Sequence, residues 1–195
     1  MYYINEKNLY DLWLKSIKLI LEEGKIIQDD KENISEILNL YLQTDNLELA
    51  SSHFEIWNNS PYINIADSQD MFDYKERVLN FNNTNQIEKI TQKLQKAWYT
   101  KSATVVTVFP EYDLYKIPCL ISIDFKVRNN LLNTTAFFRS QDVWKKQLNN
   151  FKLLISLIQL ICNSIKVEPG YLSLLIASAH LYNSDLKSIS NFIKN

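Results

Sequence analysis

The stretch Pro118-Cys119-Leu120-Ile121-Ser122-Ile123-Asp124-Phe125-Lys126-Val127-Arg128-Asn129-Asn130-Leu131-Leu132-Asn133-Thr134-Thr135-Ala136-Phe137-Phe138-Arg139 decides the fold. Its β-branched and aromatic runs flank Arg128-Asn129-Asn130, and asparagine accepts the backbone conformations a tight turn needs. The spacing predicts a hairpin of two strands, Pro118–Val127 and Leu131–Arg139. Ser140-Gln141-Asp142 and a short polar connection to Asn149-Asn150 follow. A thiol, an arginine beside a hydroxyl, an acid and an amide thus fall on adjoining strand ends, as a nucleophile beside an anion cradle would require.

Outward from the hairpin, Ala103–Phe109 is a β-branched run ended by Pro110, so three strands in sequence predict antiparallel pairing. Ile34–Thr44 reads as a strand with Leu38, Leu40 and Leu42 on one face, and Tyr171–Tyr182 as another after Pro169-Gly170. Apolar residues recur at helical spacing from Glu6 to Glu23, with Gly24 at the stop, and from Gln86 to Ala97, with Thr84 as N-cap. Phe151–Ile165 is apolar almost all round, as a buried helix is. Ser184 or Asp185 begins a last short helix, and Asp45–Asp73 reads as loop and short helix. The expected class is α+β, a layered α/β sandwich with a mixed, largely antiparallel sheet of roughly five strands.

At 195 residues the chain fits one domain over 1–195, large enough to bury roughly 70% of its unfolded surface. Hydrophobic residues at 46% and charged ones at 22% fit a globular chain, and the net charge of −1 argues against a nucleic-acid-coating surface. The two cysteines, Cys119 and Cys162, have no metal-ligand spacing, so no metal site is expected. No signal-peptide pattern opens the chain, and no apolar run reaches the roughly 18 residues of a membrane span. The expected location is cytoplasmic, with reduced thiols and no membrane partner. Only two glycines occur, which excludes glycine-rich nucleotide loops and leaves asparagine to fill positive-φ turns.

Cys119 reads either as a buried small hydrophobe or as a nucleophile whose thiolate Arg139 favours. The fork of Arg139, with the Ser140 hydroxyl, suits a phosphate. Asp142 and Asn150 read equally as loop or helix caps. Ser178, His180 and Tyr182 point to one face of their strand, where His180 and Tyr182 suit a sugar hydroxyl.

Together these blocks resemble the thymidylate synthase family, nearest to its shorter, archaeal-like branch. The resemblance rests on Pro118-Cys119, on Arg139-Ser140-Gln141-Asp142-Val143 with Asn150 at the family's spacing, and on Ala179-His180-Leu181-Tyr182. It implies that Cys119 attacks C6 of the uracil ring of dUMP, making C5 nucleophilic towards methylenetetrahydrofolate. Arg139 and Ser140 would hold the phosphate, Gln141 would take part in binding the nucleotide, and Asn150 would read the uracil edge. Asp142 would contact the folate and the ring environment, and His180 and Tyr182 the deoxyribose hydroxyl. Glu36 and Tyr74 match the proton-relay glutamate and the active-site tyrosine. A homodimer is implied, with Lys101 standing where the partner subunit's arginines complete the phosphate site. The implied activity is conversion of dUMP to dTMP, the alternatives being a nucleotide C5 hydroxymethylase or an inactive nucleotide-binding relative. Lys75 and Lys146 replace family glycines, and Trp144 and Lys145 alter the folate wall.

Overall fold

A computed structural model describes residues 1–30, 32–47, 68–113 and 115–194. In chain order these form β1 (Tyr2–Asn5), α1 (Leu9–Glu23), β2 (Lys25–Gln28), β3 (Asn33–Thr44), α2 (Ser68–Leu79), α3 (Gln86–Lys96), β4 (Thr104–Val106) and α4 (Pro110–Asp113). Then come β5 (Leu120–Arg128), β6 (Leu131–Phe138), β7 (Gln141–Asp142), α5 (Gln147–Ile165), β8 (Glu168–Tyr182), a 3-10 turn (Asn183–Asp185) and α6 (Leu186–Lys194). Most of the stretch expected to be loop and short helix, 48–67, lies outside the described residues.

The strands form one mixed sheet in the order β1-β3-β8-β6-β5-β4, with β2 beside β3 and β7 beside β8. The expected α+β layering is present, but the sheet has eight strands rather than five. The additional β1, β2 and β7 are two to four residues long, too short for an alternating pattern to register. The expected hairpin forms around Asn129 (φ 52°) and Asn130 (φ 61°). Among the described residues every positive-φ position is asparagine except Lys166, and neither glycine is one of them. Asparagine therefore does the turn work that glycine does in other chains.

Gly24 has another use. It caps α1 in an extended conformation, and a Cβ there would come within 2.3 Å of both the Ile20 carbonyl and Ser35 Oγ. The missing side chain lets the end of α1 dock on β3, where Ser35 donates to Ile20 O at 3.1 Å.

Other boundaries shift for local reasons. The N-cap of α3 is Asn85, not Thr84: the Asn85 side chain accepts from Glu88 N at 3.0 Å, while Thr84 bridges to Phe81. The strand expected over Ala103–Phe109 ends at Val106, because Thr107 turns its hydroxyl to the Leu120 carbonyl. Tolerance of Pro169 inside β8 follows from the pairing: β3 leaves β8 at Leu172, so that end bonds only to β6. By mean hydropathy and length the 19-residue α5 is apolar enough to cross a membrane, although polar residues interrupt its apolar run. Its buried residues, from Gln147 to Cys162, instead pack in the core with α1, α3, β6 and β8.

A step in the sheet positions the site. Leu40 and Leu42 of β3 and Leu172, Leu174 and Ile176 of β8 are buried, whereas beyond Asn39 (φ 57°) Ser35 and Ile37, with Ala179 and Leu181, take over the core positions. The β3–β8 register does not change across the step. Both strands must therefore carry the same displacement, and the residues beyond it, Glu36, Ser178, His180 and Tyr182, turn to the face opposite Ala179 and Leu181.

The connection before Cys119 is clamped. Arg77 of α2 makes two parallel bonds to Asp113, Nη1 to Oδ2 at 2.7 Å and Nη2 to Oδ1 at 2.8 Å, and donates to Thr107 O at 2.7 Å. The bonds from Arg77 hold the Asp113 carboxyl below its ordinary pKa against the opposing effect of burial. A depressed carboxylate stabilises the fold above the unfolded pKa and loses that contribution as pH falls through the folded one. Asp113→Asn is expected to cost about 3 kcal/mol at neutral pH. Denaturant titrations of both proteins check this, and the gap should close at acid pH. An equal gap at every pH would contradict it.

Candidate active site

Most of the residues singled out from the sequence fall on or at the ends of five neighbouring strands, with Tyr74 on α2 and Asn150 on α5. Cys119 lies opposite Arg139 across the β5–β6 pair, where Arg139 N donates to Cys119 O at 2.9 Å. Beside them, β7 brings Asp142 against His180, and β3 brings Glu36 against the same His180. Asp142, His180 and Glu36 thus form one row across the sheet, while the β6–β8 register puts Arg139, and Cys119 across from it, at the level of Ala177, roughly 10 Å along the strands, with Ser140 between the two.

Cys119 is half-buried and fixed on both sides. The next residue, Leu120, donates its N–H to the Tyr74 hydroxyl at 3.0 Å, so α2 holds the start of β5 through a buried tyrosine. On the other side the Arg139 guanidinium grips the preceding loop, with Nη2 donating to Ile117 O at 2.5 Å and Nε reaching Ile117 O and Pro118 O at 3.1 Å each. Cys162 is a different kind of residue: buried in the core, its thiol is pushed up to about 11, mainly by burial. It is a packing group, not a nucleophile.

His180 is buried, and its Nδ1 lies 3.5 Å from Ser140 Oγ. Burial lowers its pKa, outweighing the pull of Asp142, Asp29 and Glu36, so at neutral pH the imidazole is uncharged. Tyr182 meets the ring edge-on at 5.2 Å, and burial raises its phenol pKa. Ser178 donates to Glu36 Oε1. Hydroxyls, an imidazole and a carboxylate therefore share one face.

Asp142 does act as a loop cap, since its Oδ1 accepts from Lys145 N at 3.0 Å. Burial raises its carboxyl pKa, opposed by that N–H and by His180 and Lys145. Asn150 does not cap α5. The helix starts at Gln147, with Lys146 in the cap position, and Asn150 lies buried in its first turns with its N–H bonded to Lys146 O at 3.1 Å. The buried polar side chains of Gln147, Asn149 and Asn150 hid that start from an apolar-periodicity reading.

Two candidates stand apart. Gln141 pairs with Ala179 and so faces the core, 2% exposed, its amide without a hydrogen-bond partner among the described residues. Lys101 is exposed ahead of β4. Extending the β4–β5 register places it opposite Val127, roughly 26 Å along the strand from Cys119. Of the altered wall, Trp144 is turned inward: it stacks on Trp13 at 5.5 Å and meets Phe192 edge-on, while Trp13 Nε1 donates to Val143 O at 2.8 Å. Lys145 pairs with Asp185. Sequence reasoning missed this pair and the Arg77–Asp113 clamp, because neither partner is near the other in sequence.

Comparison with known proteins gives a consistent picture. The family model described as thymidylate synthase matches residues 16–195. A protein of Methanosarcina acetivorans named "Putative thymidylate synthase" is 29% identical, covering 98% of this chain and 94% of its own length. The protein of the same name from Methanosarcina mazei shows the same identity and coverage. One from Methanothermobacter marburgensis is 27% identical over 100% of this chain and 99% of its own.

Proposed function

Since the chain belongs to the thymidylate synthase family, we propose that it transfers a one-carbon unit to C5 of dUMP, giving dTMP, with methylenetetrahydrofolate as donor. The observation that carries this is the placement of Cys119 directly across from Arg139, with His180 and Glu36 on the next two strands. A nucleophile beside an anion-binding fork and a sugar-recognising pair is the layout that a pyrimidine nucleotide requires.

The Cys119 thiolate adds to C6 of the uracil ring. The Sγ–C6 bond forms, the C5–C6 double bond opens, and the electron pair passes to C5 and the C4 carbonyl, so a vinyl carbon becomes an enolate nucleophile. Tyr74 and Arg139 hold the strand end and the loop on either side of the thiol, which aims it at the ring. Arg139 and Ser140 bind the phosphate. Neutral His180 and Tyr182 meet the deoxyribose hydroxyl, and the Asn150 amide matches a ring carbonyl and N–H together. Glu36, bonded to Ser178, relays protons. The C5 proton leaves once the new carbon–carbon bond is made, and elimination of Cys119 restores the thiol. Gln141 faces the core and serves as packing beneath these contacts.

The residues present fit the folate. Of the four departures, Trp144 and Lys145 are held by Trp13 and by Asp185, Lys75 and Lys146 would face the folate, and Asp142 would meet both the folate and the pyrimidine ring. When bound, methylenetetrahydrofolate supplies the one-carbon unit and the hydride that reduces it. The protein acts in the cytoplasm as a homodimer. Tyr3, Tyr41, Phe137 and Leu175 lie on the sheet face away from the helices, with Tyr3 57% exposed and stacked on Tyr41, a surface suited to a second copy. Lys101 stands where the family's partner-subunit arginines lie and is too far along the sheet to serve its own Cys119, which supports a role for it as the second phosphate cation of the partner's site.

Incubation with dUMP and methylenetetrahydrofolate tests the reading. It predicts equal yields of dTMP and dihydrofolate. Hydroxymethyl-dUMP without dihydrofolate would replace methylation by hydroxymethylation, and bound nucleotide without any product would leave a binding protein.

A further inference from the structure

Lys145 sits in the connection between β7 and α5, and three contacts converge on it. Its ammonium is 2.7 Å from Asp185 Oδ2, in the 3-10 turn that ends β8. The same ammonium lies 5.5 Å from the centre of the Tyr182 ring. Its main-chain N–H bonds to Asp142 Oδ1 at 3.0 Å. Asp142 and Asp185 are 6% and 7% exposed, two carboxylates buried close enough to repel. Two such groups stay ionised together only with a cation beside them; otherwise one takes up a proton. Lys145 is that cation, and its position over the Tyr182 ring adds an attraction to the ring face.

We propose that Lys145 is a positioning residue of the nucleotide site, a strap that fixes the turn carrying Asp142 to the strand end carrying Tyr182. The proposal rests on the nucleotide reading and deepens it at the sugar end. The strap couples the phosphate side of the site, at Arg139 and Ser140, to the sugar side, at His180 and Tyr182. Without it the Tyr182 ring loses its cation and Asp185 is left buried without a countercharge. It touches no reacting atom, so its effect falls on nucleotide affinity and on the titration of Asp142.

The test is calorimetric binding of dUMP to the full chain. Lys145→Met/Asp185→Leu removes both charges together, so no buried charge is orphaned and the fold is kept. Its dissociation constant is expected to rise about tenfold, while Lys145→Arg, which keeps a cation between Asp185 and the ring, stays within about threefold of wild type. Asp142 is faced by Lys145 from its own turn, by His180 from β8 and by Asp185 from the 3-10 turn. In the single variant Lys145→Met, Asp142 therefore takes up its proton sooner as pH falls, and the acid limb of dUMP binding moves to higher pH. A folded double variant that binds dUMP within twofold of wild type would overturn the strap, as would an acid limb that does not move. Wild-type protein that binds no dUMP would overturn the nucleotide reading and the strap with it.

Discussion

Cys119→Ala is expected to abolish tritium release from C5 of labelled dUMP, lowering it by at least about a thousandfold, while dUMP binding stays within about threefold of wild type. The size follows from what the thiol does. Without the Sγ–C6 bond no electron pair reaches C5, so neither the condensation nor the loss of the C5 proton can start, and the remaining groups only bind and orient. The sparing of affinity follows from the site, since phosphate, sugar and base are held by other side chains. The strand end should also survive the change. Its anchors, the bonds from Leu120 N to Tyr74 and from Arg139 N to Cys119 O, are made by main-chain atoms of the strand. Cys162 offers no replacement, being buried with its thiol raised to about 11. Retained release in the variant would refute Cys119 as the nucleophile.

Arg139→Met is expected to weaken dUMP binding by about a hundredfold, because charge-assisted bonds to phosphate are worth roughly 1.5–3 kcal/mol each. The residue has two tasks. Its Nε and Nη2 tether the Ile117 and Pro118 carbonyls, and the rest of the fork is left for the phosphate. Arg139→Lys should therefore recover only part of the affinity, since one ammonium cannot hold the loop and the anion in the same geometry. Deoxyuridine, which lacks the phosphate, separates the tasks: its affinity should change little in Arg139→Met. Equal losses for dUMP and deoxyuridine would mean that Arg139 acts only through the loop.

Much of this was legible in the sequence where the signal is local. The hairpin announced itself through its β-branched runs and Asn129-Asn130, and α1 through Leu9, Leu12, Ile17 and Ile20 at helical spacing. The site blocks were legible because the hairpin puts Cys119 across from Arg139, and a period of two puts Ser178, His180 and Tyr182 on one face. What stayed hidden depends on distant partners. β1 exists because Tyr2–Asn5 lie parallel to Leu40–Gln43, which nothing in four residues announces. The paired displacement at Asn39 and on β8 is invisible in either strand alone. Gln141 carried the family motif's spacing yet turns to the core, because the neighbouring Asp142 pairs with His180 on the other face. Trp144, read as a changed folate wall, is instead core packing against Trp13, 131 residues earlier in the chain.

The most direct test is tritium release from C5-labelled dUMP by the wild-type protein, followed with and without methylenetetrahydrofolate. The expected result is folate-dependent release that tracks dTMP one for one. Nucleotide bound at saturation with no release under either condition would contradict it, because a site built to add Cys119 to C6 must free the C5 proton once the donor is present.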